Sequence, residues 1–269
     1  LASGQPVGSL AAIKYAWAVM TMPQVVIAQA IAIAALPTFS AQAARGERKE
    51  MRASLAATLS GVILLSLPAS LGLILLRTPI TQLLFERGAF DLHSTQLVSW
   101  ARLWYTSGLV AHSVVEVVSR AFYAMHDTKT PVFIGAGAMS LNLVFSLVFS
   151  HGFRQLGWMP HGGLALANSL ATALEMGGLL LVMRRRLDGL DGRVLFQSEW
   201  RSAAAAMGMS VALLIWMQQT SEQPAWLVAA GGTVLGLLVY MGGLVLLRLR
   251  EAGILWTVIQ QRLRTGSVR

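Results

Sequence analysis

The chain has 269 residues, 55% hydrophobic and 12% charged, with a mean hydropathy of +0.61. Soluble domains carry roughly 25% charged residues, so the composition places this one in a membrane. With no cysteine there are no disulfides, thiolate metal sites or thiol nucleophiles, and no glycine-rich phosphate loop or His-Glu-x-x-His helix occurs; covalent catalysis is not expected and no cofactor is implied.

In chain order, apolar runs occur at Leu10 to Leu36, Ser54 to Leu76, Leu97 to Met125, Val132 to Ser150, Gly163 to Met183, about Ser202 to Gln218, and Trp226 to Leu247. Each is near the roughly 20 residues that a 30 Å hydrocarbon core requires, so the expected fold is all-α and polytopic, with about seven transmembrane helices. The sixth is the shortest and needs flanking residues to cross. The opening "LASGQPVGS" lacks both a basic leader and a cleavage pattern and starts with Leu1, so the chain reads as a piece of a longer protein.

The net charge of +9 is distributed by topology rather than gathered into a nucleic-acid surface. Fifteen Lys and Arg fall in the loop Thr38 to Ala53, at Lys129, between Arg184 and Arg201, and in the tail after Leu247, whereas the alternate connections hold only Arg77, Arg87 and Arg154. That asymmetry makes the basic connections and the tail cytosolic. Within the tail, Ile254, Leu255, Val258, Ile259 and Leu263 recur at helical spacing, which suits an interfacial amphipathic helix as well as a solvated tail.

The remaining cations, Lys14, Arg102 and Arg120, lie inside spans, where a central lysine costs about 2.5–3.5 kcal/mol on insertion scales and so needs a route to water or a function. Further along, in "RTPITQLLFERGAFDLHS", Thr78 and Pro79 are placed to cap and start a short helix with Ile80, Leu83 and Leu84 on its apolar face; Gly88 ends it, and Asp91 or Ser94 caps the third span. On the third span His112, Glu116 and Arg120 form one stripe at i, i+4 and i+8, with Glu116 and Arg120 expected to pair. A structural salt bridge and a gating or proton-linked role both fit that stripe. In "FYAMHDTKTPVF", Asp127 is placed to brace the start of the fourth span, which Pro131 opens. Asn142 and Ser146 share a face of the fourth span, and Asn168 and the lone carboxylate Glu175 lie on the fifth; these suit an ion or polar network as well as interhelical hydrogen bonds. Glycine and alanine in "GGLALANSLATAL" are spaced for close helix approach.

The segments "GSLAAIKYA", "LPTFS", "LPASLGLILLRTPITQLLFERGAF", "FYAMHDTKTP" and "GGLALANSLAT", in this order over roughly Pro6 to Arg186, resemble the MurJ (MviN) lipid II flippases of the bacterial cell wall, within the multidrug/oligosaccharidyl-lipid/polysaccharide exporter superfamily. The resemblance implies the second lobe of a two-lobe fold: residues 1–186 as five spans, 187–247 as two additional C-terminal helices and 248–269 as a cytosolic amphipathic tail. A missing N-terminal lobe would complete it. It further implies a multi-pass protein of the bacterial cytoplasmic (inner) membrane that moves a lipid-linked sugar pyrophosphate by alternating access, with no nucleic-acid partner.

Members of that family commonly read Tyr-Ala-Asp-Arg-Leu where this chain has Tyr15, Ala16, Trp17, Ala18 and Val19, so the cavity-facing arginine of that helix is absent. Lys14 lies one turn from Ala18 on the same helical face and would supply a displaced cation for the anionic head group; alternatively it snorkels to the outer interface. The substrate-binding candidates are therefore Lys14, Trp17 and Ala18. The resemblance also implies an apolar groove for the lipid tail at the sixth and seventh spans, where Ala203 to Ala206, Gly208, Gly231, Gly232, Gly236, Gly242 and Gly243 leave room; tight helix packing explains the same residues. A small-solute or drug exporter of the superfamily is the alternative transporter. A non-transporting membrane scaffold is the reading that the lost Asp-Arg pair favours.

Overall fold

The computed structural model describes residues 8–88, 90–190 and 192–247, and the regular elements among them are all helical. Helix α1 (Ser9–Pro23) passes through a π-helical stretch (Gln24–Gln29) into α2 (Ala30–Ala44). Pro23 cannot donate to the preceding turn and its ring crowds the carbonyl four residues back, so the wider turn directly after it absorbs the mismatch. There follow α3 (Arg48–Leu75), α4 (Arg77–Phe85), α5 (Leu92–Thr106), α6 (Leu109–Ala124), α7 (Lys129–Gln155), α8 (His161–Arg186), α9 (Gly192–Gln219) and α10 (Ala225–Leu246). The expected amphipathic tail, 248–269, lies outside the described residues.

Among the described residues, six helical segments are long and apolar enough to cross a membrane: Ser9–Ala44, Arg48–Leu75, Lys129–Gln155, His161–Arg186, Trp200–Gln219 and Ala225–Leu246. The expected third span, Leu97 to Met125, is instead two helices, α5 and α6, separated at Ser107 and Gly108. The break is held from outside the segment. Ser169 on α8 donates to Trp104 O at 2.6 Å and Tyr105 O at 3.2 Å, and Ser70 on α3 donates to Thr106 O at 2.8 Å. Carbonyls at the end of α5 thus find partners on two neighbouring helices. Gly108 permits the approach, since a Cβ there would lie 2.6 Å from the Ser169 hydroxyl oxygen.

The short helix α4 departs from the sequence expectation in two ways. It begins at Arg77 with no side-chain cap, so Thr78 does not cap it, and it buries Pro79 and Thr81 while Leu83 and Leu84 are exposed. Thr81 donates to Arg77 O at 2.7 Å and its hydroxyl also meets Ser99 at 3.3 Å, which turns this polar edge toward α5. Leucines at the surface of a membrane helix cost little because lipid is as apolar as the core. At the next helix start, the side chain of Asp91 caps α5 by accepting from Ser94 N at 2.8 Å.

Helix α8 gathers α5, α6 and α7 on one side of the bundle. The α5–α6 pair runs beside it in the same direction, with His161 on Leu97 O at 3.0 Å at one level and Thr172 on the His112 ring at 3.3 Å at another. Helix α7 packs antiparallel on α8, bringing Phe149 and Ser150 against Gly163 and Gly135 against Glu175. Leucine, valine and phenylalanine from α2, α3, α6 and α8 form the largest core, α1 packs on α5, and α9 and α10 pack on α3 around Leu64, Leu213 and Tyr240. Tyr240 is fixed there by donating to Leu64 O at 2.6 Å and meeting Ser202 at 2.8 Å.

Candidate functional site

Helix α1 turns Ser9, Ala12, Ala16, Val19 and Met20 inward. Lys14, Trp17 and Ala18 therefore fall on its exposed side, with Lys14 and Ala18 one turn apart on a common face. Lys14 has no hydrogen bond or ion pair among the described residues. Trp17 is tethered at its inner edge, its ring centroid 5.3 Å from Tyr105 and 5.5 Å from His112, both nearly edge-on.

His112 is the point where three helices meet. Its Nε2 lies 3.1 Å from Asn168 Oδ1 and 3.3 Å from Thr172 Oγ1, so Asn168 on α8, His112 on α6 and Trp17 on α1 form one polar-aromatic node. One turn farther along α6, Arg120 donates to Glu116 Oε1 at 2.7 Å, each side chain about a quarter exposed. On α8, Asn168, Thr172 and Glu175 share a stripe at helical spacing. Glu175 is not at the node: its carboxylate lies over Gly135 of α7, 3.3 Å from where a Cβ would stand. Asn142 and Ser146 are joined to each other at 3.3 Å and not to Asn168. Among the described residues no three His, Cys, Asp or Glu come together to hold a metal ion.

An apolar cavity of about 470 Å³ lies between α1, α3, α4, α9 and α10, lined by Met22, Ile27, Pro68, Gly72, Leu213 and Gly236 among others. Of the glycines on the last two helices, Gly232 and Gly236 line this space. Gly231, Gly232 and Gly243 also sit in tight contacts, because a Cβ would meet Trp216 at 2.5 Å, Leu76 at 2.9 Å and Ala205 at 3.0 Å respectively, whereas at Gly236 the nearest atom is 3.5 Å away. The small residues thus divide between open space and packing.

Two side chains have roles that sequence reasoning did not assign. Arg102 is wholly buried, and its guanidinium donates to Leu76 O at 3.3 Å and to Arg77 O at the corner between α3 and α4, where orphan carbonyls and the negative end of the α3 dipole attract it. An arginine inside an apolar run was the visible signal; its target lies 26 residues away. Thr172, the second partner of His112, carried no signal beyond its spacing from Asn168.

At the opposite end from the α5 start, the turns gather. Arg48 pairs with Asp188 at 3.4 Å, Arg52 donates to Asp188 O at 3.3 Å, and Arg186 reaches Asp127 at 2.5 Å. Asp127 also accepts from Thr130 N at 3.0 Å and Thr130 Oγ1 at 2.7 Å, bracing the start of α7.

A family model described as "Lipid II flippase MurJ" matches residues 1–239. A "Probable lipid II flippase MurJ" of Vibrio cholerae is 29% identical over 227 residues, covering 84% of this chain and 42% of that protein. A protein of the same description from Rhizobium tropici is 31% identical over 186 residues, covering 69% of this chain and 34% of the relative. The solved structure "Lipid II flippase MurJ, inward closed conformation" superposes with a TM-score of 0.68 at 22% identity, over 89% of this chain and 47% of that one, which is a likeness of fold. The chain thus spans less than half the length of these proteins. Because the family model extends over most of its residues, the chain belongs to the MurJ lipid II flippase family.

Proposed function

We propose that this chain is the second lobe, with two additional C-terminal helices, of a flippase that moves a lipid II-like peptidoglycan precursor across the bacterial cytoplasmic membrane. In this reading residues 1–186 form the lobe, 187–247 the added helices and 248–269 a cytosolic tail, and an N-terminal lobe completes the central cavity. Transport is by alternating access and involves no covalent chemistry on the substrate. The family membership carries the reading; the arrangement that supports it is the exposed cation Lys14 on the same helix that borders the apolar cavity. An ammonium attracts a pyrophosphate as a point charge without the planar fork of a guanidinium, and an apolar cavity suits a polyisoprenyl tail.

The test uses the complete protein in cells depleted of their own lipid II flippase, with flipping measured alongside growth. Lys14→Met is expected to reduce transport by removing a charge contact. Moving the cation by Lys14→Tyr with Ala18→Arg is expected to preserve it. A fully active Lys14→Met variant at wild-type abundance removes Lys14 from the substrate site. Failure of the complete protein to support growth or flip lipid II at normal abundance, with retained partner capture, favours the scaffold reading suggested by Trp17 and Ala18 standing where the family keeps Asp and Arg.

A further inference from the structure

We infer that His112 is a proton-binding site whose charge state is passed to α1 through Trp17. Asn168 Oδ1, 3.1 Å from Nε2, is an amide oxygen and can only accept. The neutral ring therefore carries its hydrogen on Nε2 and presents Nδ1 as a bare lone pair, for which there is no partner among the described residues. Imidazole is the side chain whose unperturbed pKa lies closest to neutrality, and Nδ1 is the atom at which this ring takes up a proton.

The position gives the proton something to act on. The ring is half-buried where α1, α6 and α8 converge, and Trp17 contacts it at 5.5 Å from the exposed face of α1. A proton on Nδ1 creates a second N–H that needs an acceptor. The carboxylate next along the stripe is Glu116, four residues on, which accepts from Arg120 at 2.7 Å in the neutral arrangement. Protonation thus sets His112 and Arg120 in competition for one carboxylate.

The other titratable or charged groups on elements packed against α6 are few. They are Lys14 and Tyr15 on α1, Arg102 and Tyr105 on α5, and Glu175 and His161 on α8 within the bundle; α2 and the π-helical stretch carry none, and His93 of α5, Arg184, Arg185 and Arg186 of α8 and those of α3 and α7 stand at the helix ends. None of these bonds to the His112 ring. The reorganisation therefore centres on Glu116, Arg120 and the Trp17 contact.

The link to transport rests on the flippase reading, whereas the proton site does not, and the experiment separates them. Protonated imidazole quenches indole emission, so the contribution of Trp17, taken as wild type minus Trp17→Phe, is followed in the complete protein in liposomes between about pH 5 and 8. It is expected to fall on acidification with a single-proton titration, and that titration is expected to be lost in His112→Gln, whose amide can still donate to Asn168 but does not titrate. Trp17 emission that is flat over this range, or a titration unchanged in His112→Gln, overturns the proposal. In flipping assays over the same range, His112→Gln is expected to flatten the pH profile, and an unaltered profile overturns the coupling. If the complete protein flips no lipid-linked sugar, the flippase reading fails while the fluorescence titration still decides the proton site.

Discussion

Asp127 serves the start of α7 and the end of α8 at once. Its hydrogen bonds from the Thr130 hydroxyl and amide, and then the nearby Arg186 guanidinium, hold its carboxyl below the ordinary carboxylate value. A depressed folded value means that the carboxylate stabilises the fold above the unfolded pKa, near 3.9, and loses that contribution as pH falls through the lower folded value. Asp127→Asn is therefore expected to lower the melting temperature of the detergent-solubilised protein at pH 7, with the gap to wild type narrowing as pH falls below the ordinary carboxylate value. A gap that survives at low pH assigns the loss to geometry rather than charge. Asp127→Ala is expected to cost more at pH 7, about 0.5–2 kcal/mol for a lost cap, because asparagine still accepts from Thr130 N. The cap was legible in "HDTKTP", since a short carboxylate three residues before an amide at a helix start has one obvious partner. Arg186 was not, because nothing local chooses it from the run Arg184, Arg185 and Arg186. Lys14 and Trp17 show the same limit. Their face of α1 follows from helical spacing, whereas the Trp17–His112 contact depends on how α1 packs on α5 and α6.

At the scale of elements, hydropathy located the six described segments long and apolar enough to cross a membrane and missed the interruption in the third span. A window average treats Leu97 to Met125 as continuous because serine and glycine at the break are small and nearly neutral on such scales, and the serines that hold the freed carbonyls belong to α3 and α8. The α4 prediction failed for a related reason. An apolar stripe marks the buried side only when the surroundings are water; Leu83 and Leu84 are exposed here, and Leu84 borders the apolar cavity. The break yields a direct test. Gly108→Ala drives a methyl to within 2.6 Å of Ser169 Oγ and 2.8 Å of its Cβ, so α6 and α8 must separate. Ser169→Ala leaves the backbone undisturbed but removes the donor to Trp104 O and Tyr105 O, at a cost of about 1–3 kcal/mol for buried acceptors left unpaired. Melting temperatures are expected to order wild type above Ser169→Ala above Gly108→Ala. Gly108→Ala at wild-type stability would show that the close approach is dispensable.

For the whole molecule, charge and packing agree on which connections share an end, and charge alone sets which side that end faces. Counting charge assigns the connections around Arg48, Lys129 and Arg184 to the cytosol, because loops rich in Lys and Arg are retained there. The packing independently brings those three connections to one end, through Arg48 and Arg52 on Asp188 and Arg186 on Asp127. The other end carries an aromatic cluster of Trp100, Trp104, Phe153 and Trp158, with centroids 5.2–6.4 Å apart, beside Arg154 in the last turn of α7. Tryptophan is favoured at a membrane interface because its ring is apolar and its N–H is wet or bonded, as Trp100 is to Met159 O at 3.1 Å. The chain has no cysteine, so single cysteines report cleanly once any in the rest of the protein are replaced. In intact cells a membrane-impermeant thiol reagent is expected to label Arg154→Cys and to spare Arg48→Cys until the membrane is permeabilised. Labelling of position 48 with protection of position 154 would invert the bundle. It would also put the exposed end of α1 that bears Lys14 on the cytosolic side.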